Sequence, residues 1–457
     1  QGLNLEALNK PTVVAALASP TLSKACRRAL EIRQQVGRTS TSKFIAIVNR
    51  EVGGRLYGAY RWRGAERTGR WTSGAPQLHN MPRGDGFDQE LGAEAFLAGV
   101  ADLAYDDVMG AAANCIRPMI MAPSGKKLVV ADFSNIEGRV LAWVVGEMWK
   151  IQAFREFDAR RGPDLYKLIY GRTYGIPPED VTKAQRQEGK VMDLAGGYGG
   201  GVGSYDTFAV TFGVNLDAIY PSIWPLATEA QKVRAEKALK WFRAQRELGH
   251  LSDKAILASD VCKQMYRQDH VATETFWGDI ERAFKDAIHT PGSVFEAGRV
   301  RVLRTLEPID VLVVSLPSGR RMCYHQPALR TRTKTWRDPD TGEKKSREVE
   351  NITFWGPATS EKGGRMPWVE NTTYGGRLTE NIVQAISADF MAHALRTADD
   401  AGYNPVGHTH DEVICECPDS STWTTGGLCQ VITASPKWAR SMPLAAAGFE
   451  SYRYKKD

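Results

Sequence analysis

The segment KKLVVADFSNIEGRVLAW, Lys126 to Trp143, decides how the rest of the chain is read. Leu128, Val129, Val130 and Ala131 follow one another as in a buried strand. A turn residue should close such a run, yet Asp132 ends it, and Glu137 follows where a helical period begins. Asp411, in HTHDEVICE, repeats the pattern from the other side, because there an apolar strand follows a tight turn. Taken singly, each aspartate reads as a turn or capping residue. Two of them in separate segments favour a shared cation, since converging carboxylates repel unless Mg²⁺ lies between them. Two Mg²⁺ ions about 3.5–4 Å apart stabilise the attacking and leaving oxygens of an in-line phosphoryl displacement.

Glu137 has a purely local reading as well. Ser134-Asn135-Ile136-Glu137 fits a capping box, in which the glutamate reaches back to the amide of an N-cap serine. His408 and His410 alternate at a strand end, with no further ligand spacing that would suggest zinc.

A chain of 457 residues is long enough for two or three substructures around more than one core. No run of eighteen apolar residues occurs, and PTVVAALASP is bounded by prolines without a basic segment before it, so no membrane association is expected. The seven cysteines are scattered and form no CxxC pair, which fits a reducing cytoplasm. A net charge of +6 is compatible with a polyanionic partner. The chain opens on Gln1 rather than methionine, so its start is not taken as that of a gene product.

Periodicity predicts helices from Asn4 to about Phe44, a hairpin with cations on one face over Arg55–Trp71, and mostly helix over residues 150–290. After Gly292 the strand pattern returns, interrupted by the amphipathic helix RLTENIVQAISADFMAHALRTA. This order suggests one sheet domain with a helical insertion, an α+β fold.

Arg186, Lys190, Leu194 and Tyr198 stand four apart in RQEGKVMDLAGGYGG, along one stripe of a helix. Arg and Lys one turn apart can hold a polyphosphate, and a solvated basic face is the plainer alternative. Arg377, Asn381 and Gln384 share a face of the late helix, where they suit hydrogen bonds to bases or simply to water. Gly319–Arg347 carries nine Lys or Arg against three acids around the turn RDPDTGEKK, equally suited to phosphate contact and to a solvated hairpin.

Together these segments resemble the signatures of family A DNA polymerases, in particular the phage-type branch. DFSNIEGR resembles motif A, RQEGKVMDLAGGYG motif B and His410-Asp411-Glu412 motif C, while TGRWTSGAPQLHNMP and RLTENIVQ resemble the primer-binding segment and a palm helix. The resemblance covers about Ser19 to Pro418, with the motifs in family order. It implies a right-hand polymerase with an antiparallel-sheet palm (36–150 and 291–457), helical fingers (150–290) and only a thumb base (1–35). It further implies template-directed addition of deoxynucleoside triphosphates to primer-template DNA in a bacterial or phage-infected cytoplasm, with replication accessory proteins as candidate partners.

By the same resemblance, Asp132, Asp411 and the carbonyl of Phe133 bind two Mg²⁺, which Mn²⁺ can replace, and Glu412 supports that region. Glu137 becomes a gate that crowds the nucleotide's 2′ position, a role compatible with capping. Arg186 and Lys190 take the triphosphate, with Lys190 as proton donor to pyrophosphate, and Tyr198 lies beside the templating base. Arg70, Asn80, Arg377, Asn381, Gln384 and His410 fall on residues that touch primer, template or the minor groove. Leu194 replaces an aromatic that stacks on the nucleotide, Tyr166 replaces a phosphate-contacting histidine, and Asn381 to Gln384 is one residue short of the common bacterial spacing. Gly196 and Gly197 should loosen the end of the motif B helix. No proofreading is expected, because a 3′–5′ exonuclease precedes the palm and needs its own acids, whereas the first aspartate is Asp85. A two-metal nuclease, which has no need of the Arg186/Lys190 stripe, and a catalytically silent DNA-binding module are the rival readings.

Overall fold

The computed structural model describes residues 8, 10–17, 19, 22–36, 42–82, 84, 86–358 and 367–455. Parts of the expected thumb base, and Asp85, therefore lie outside the described residues. Ten strands longer than two residues occur among them: β1 (Lys126–Phe133), β2 (Val294–Ala297), β3 (Val300–Thr305), β4 (Val311–Ser315), β5 (Arg321–Arg337), β6 (Lys344–Pro357), β7 (Trp368–Thr373), β8 (Pro405–Thr409), β9 (Glu412–Pro418) and β10 (Ala446–Ser451).

The run Leu128–Ala131 is continuously apolar because β1 is covered on both faces. Val129 and Ala131 enter one core with Val413 and Cys415, while Leu128 and Val130 enter another with Ile116, Ile414 and Tyr454. β1 lies inside a four-stranded antiparallel sheet of order β8-β9-β1-β10. The remaining strands form a separate antiparallel meander, β7-β6-β5-β4-β3-β2. The strands read as one sheet domain with a helical insertion are thus arranged in two sheets. The meander pairs strands that are neighbours in sequence, whereas β1 pairs with the distant β8–β9 hairpin and with β10. They still share one core, where Val302, Leu312 and Val314 meet Val129.

Helix α1 (Ile136–Val145) follows β1. The insertion between the sheets is helical as read, and includes α2 (Leu165–Tyr174), α3 (Lys183–Gly196), α4 (Glu229–Gln245) and α5 (Val271–His289). Thr182 with Gln185, and Thr228 with Gln231, form complete capping boxes that start α3 and α4. Ile151, Ile169, Met192 and Val261 give this region a core of its own. The late amphipathic helix α6 (Gly375–Asp400) buries Leu378, Ile382, Ile386 and Phe390 in the shared core.

The helices expected before Phe44 form over Lys10–Leu17, Lys24–Val36 and Ser42–Val48. The hairpin read over Arg55–Trp71 does not form. Arg55–Leu56 pairs backwards with Glu51–Val52 across Gly53 and Gly54, both at positive φ, and Tyr60–Arg61 pairs with Thr72–Ser73. Residues 62–71 are left as a loop that reaches the site described next. No helix among the described residues is long and apolar enough to cross a membrane.

Candidate active site

The antiparallel register sets Asp132 opposite Glu412 and continues through Ala131 opposite Val413. Beyond that pair, Thr409 opposes Glu412 across a two-residue turn, His410–Asp411, with His410 in the left-handed region at φ 56°. The Phe133 amide donates to the Asp411 carbonyl at 3.0 Å, which fastens the turn to the end of β1. Asp132, Phe133 and Asp411 therefore meet at one sheet edge. Glu412 does not face the cleft: it is 1% exposed and accepts a hydrogen bond from the Tyr454 hydroxyl. Arg117 donates to the same hydroxyl at 2.7 Å and to the carbonyls of Pro82 and Met81. Burial, reinforced by Glu412, holds the Tyr454 phenol well above its usual range, so it stays a donor.

The capping box read at Ser134 is not formed. Asn135, at φ 50°, is the N-cap and accepts from the Gly138 amide at 3.2 Å. Asn tolerates the left-handed backbone better than Ser, which moves the helix start one residue on. Glu137 is released from the helix end and pairs with Arg70, Oε1 to Nη1 at 3.2 Å. Burial pushes the Glu137 carboxyl upward, Arg70 opposes this and Glu380 adds to it. Tyr198 senses Glu137, Glu380 and Arg70, and its burial raises the phenol strongly.

Arg70, Glu137, His410 and Asp411 line one cleft with Trp71, His79, His408, Ser387 and Met391. His408 stacks on Tyr60 at 4.4 Å and stands edge-on to Trp71, while His79 lies 5.4 Å from His410. Burial lowers His79 and His408 to about 4, so at neutral pH these two imidazoles are uncharged. Asp132 is half-buried and is not among the lining residues.

The α3 stripe lies outside that lining. Arg186 makes a fork with Asp164, both bonds at 2.9 Å, while Asp164 also caps α2 through the amides of Tyr166 and Lys167. The Arg186 guanidinium lies over the Tyr166 ring at 5.0 Å, and Lys190 lies over Phe212 at 4.0 Å. Leu194 is half-buried one turn further on, and Tyr198 follows the helix end. Gly196 does not merely weaken the helix: a Cβ there would lie 2.4 Å from the Tyr266 ring, so the glycine permits a close packing.

Arg377 is exposed at the start of α6, Asn381 donates to the Tyr324 hydroxyl at 3.3 Å, and Gln384 donates to Glu380 at 3.1 Å. Asn80 is exposed, its carbonyl held by Lys43. Two contributors had no signal in the sequence: the Tyr454–Arg117 support of Glu412, and Gly376. A Cβ on Gly376 would come within 2.2 Å of the Tyr198 carbonyl, so this glycine lets α6 dock where α3 ends.

Among the described residues no three His, Cys, Asp or Glu side chains group closely enough to hold an ion by themselves. Mg²⁺ binds through one or two carboxylates and completes its shell with water and substrate phosphates. The fastened edge at Asp132, Phe133 and Asp411 offers that donor set.

Residues 10–206 match the sequence model of DNA polymerase family A. The whole chain is 30% identical over 465 residues to a DNA polymerase of Bacillus phage SP02, spanning 61% of its length. Over 146 residues, 32% of the chain, it is 32% identical to DNA polymerase I of Chloroflexus aurantiacus, covering 12% of that protein. The fold resembles the POL domain of Pol1 from M. smegmatis, solved with DNA primer-template and dNTP, at a TM-score of 0.50 and 15% identity, covering 94% of this chain and 54% of that one.

Proposed function

We propose that this chain is a template-directed DNA polymerase that extends a primer 3′ end with deoxynucleotides, without proofreading. The palm would comprise about 36–150 and 291–457, the fingers about 150–290 and a thumb base 1–35. The observation that carries the reading is the fastening of the Asp411 turn to the end of β1, which brings the two motif aspartates to one edge beside the Arg70–Glu137 pair.

In the reaction the primer 3′ oxygen attacks the α-phosphorus, the bond to the β-phosphate oxygen breaks, and pyrophosphate leaves with a proton. Asp132, Asp411 and the Phe133 carbonyl would hold two Mg²⁺ or Mn²⁺ ions, which supply charge neutralisation to the attacking and leaving oxygens. Arg186 grips the triphosphate as a planar fork, and Lys190 holds it as a point charge and protonates pyrophosphate. Glu137 crowds the 2′ carbon. Tyr198 supports the templating base, and Leu194 offers the sugar an aliphatic surface. Arg70, Asn80, Arg377, Asn381, Gln384 and His410 contact the DNA strands, while Glu412 acts behind the reacting atoms as a positioning residue.

Primer extension with the four deoxynucleotides and Mg²⁺, on matched and mismatched termini, tests the reading. Template-directed extension with no removal of a mismatched terminus is expected. Degradation alone would favour a two-metal nuclease, and binding without chemistry a silent module.

A further inference from the structure

The hairpin of β5 and β6 outruns its sheet. β4 pairs only with residues 321–325 of β5, and β7 only with residues 352–357 of β6. Residues 330–337 and 344–351 therefore form a two-stranded ribbon with no third strand among the described residues. Its tip is anchored, since the Arg337 amide donates to Gln245 at the end of α4 at 2.7 Å.

Alternation gives the ribbon two unlike faces. Arg330, Arg332, Lys334 and Trp336 share one, and the register adds Lys345 opposite Trp336 and Arg347 opposite Lys334. The other face carries threonines, with Glu348 and Glu350 balanced by Arg337 and Lys344, so the excess of cations lies on the first face. On the cationic face Arg330 and Arg332 reach Glu370, and Lys345 reaches Asp338. Lys334 and Arg347 remain directly opposed, with no carboxylate in ion-pair range among the described residues. Like charges directly opposed across strands destabilise a ribbon. A polyanion bound across this face would offset that cost.

The same face continues to the ribbon's foot. Trp355 opposes both Glu370 and His325, Trp368 stands two residues from Glu370, and the two indoles are 36% and 52% exposed. Arg63 and Arg67 line the groove beside them, on the loop whose Arg70 lines the catalytic cleft. Cations track a phosphate backbone, and exposed aromatic faces stack unpaired bases.

We propose that this face binds single-stranded DNA, namely the template strand where it runs beyond the cleft. The proposal rests on the polymerase reading for the identity of the strand. Binding of the whole chain to primer-templates with short and long 5′ overhangs, followed by fluorescence anisotropy, tests it in Lys334→Ala/Arg347→Ala and in Trp355→Ala/Trp368→Ala. Each lost phosphate contact on a single strand lowers the salt slope by about 0.7, or about fivefold in affinity at about 0.1 M salt relative to 1 M. The double cation variant should thus bind the long overhang about 25-fold more weakly, with a slope smaller by about 1.4. Its binding to the short overhang, and extension on it, should match the parent. The tryptophan variant should lose the long-overhang advantage without the change in slope. Equal losses on both substrates would assign the ribbon to duplex DNA and overturn the proposal, as would no loss in the exposed cation variant. Failure of the parent to extend the short-overhang primer would sink the polymerase reading instead, while the overhang comparison still decides the ribbon.

Discussion

Glu137→Ala and Glu137→Gln separate bulk from charge at the proposed sugar gate. At 3.2 Å the Arg70–Glu137 attraction is about 5 kcal/mol at an effective dielectric of about 20. Both side chains are about a third exposed, at 32% and 38%, which reduces the net worth of the pair to about 1 kcal/mol. Gln removes that pair and keeps the volume, whereas Ala removes both. If bulk excludes the 2′-hydroxyl, Ala should raise ribonucleotide incorporation relative to deoxynucleotide by at least about tenfold, or about 1.4 kcal/mol, and Gln should change it by less than about threefold. Neither variant should lose a helix cap, because Asn135 provides it. Asn135→Ala should instead cost about 2 kcal/mol, through the lost cap and an alanine held at φ 50°. Single-nucleotide incorporation, comparing kcat/KM for the two sugars, makes the measurement. Unchanged sugar preference in Glu137→Ala would refute the gate, and equal losses in both variants would show that charge does the excluding.

Asp132→Ala or Asp411→Ala should abolish nucleotide addition by at least about a thousandfold while leaving duplex affinity nearly intact, measured by extension and anisotropy; near-parental extension would remove the two-metal assignment. Leu194→Tyr should accept dideoxynucleotides more readily than the parent, because a phenol hydroxyl can stand in for the missing 3′ hydroxyl; unchanged selectivity would mean that position 194 does not face the sugar. Burial raises Glu188 to about 7 from 4.5, so the folded state keeps its proton where the unfolded state has lost it, and stability falls as pH rises between these values. Discounted for partial exposure, Glu188→Gln should gain about 1–2 kcal/mol above pH 7 and nothing below about pH 4, read from denaturant melts across pH.

The sequence carried what is encoded locally. The apolar run of β1, the α6 amphipathic face and the tight turn at Asp411 each declare themselves within a few residues, and they placed both aspartates on strand ends. The Ser134 capping box was local too, and failed because Asn135 two positions before Glu137 competes for the same helix start and suits a left-handed backbone. The Arg55–Trp71 hairpin failed because Gly53 and Gly54 turn the chain back earlier. Partners that meet only through the tertiary fold left no local trace: Tyr454 beneath Glu412, Gly376 against Tyr198 and Asp164 on Arg186 are all set by which elements pack together.

On the proposed site assignment, that last group decides how a nucleotide would be bound. The cations proposed to meet the triphosphate are already engaged by the protein: Arg186 by Asp164 and Lys190 by the Phe212 ring. Binding is therefore an exchange of partners rather than the filling of an uncompensated positive site. The exchange is inexpensive, since ion pairs about a third exposed contribute about 1 kcal/mol or less, and a phosphate offers the guanidinium charge-assisted bonds of the same kind. Asp164 itself is poorly placed to move, because its carboxylate also holds the first amides of α2. The guanidinium must swing and the carboxylate must stay, so the fork that leaves Asp164 remains tethered to one point on α3. Nucleotide binding would then uncouple α3 from the cap of α2, and a rearrangement between these two helices would accompany each nucleotide bound.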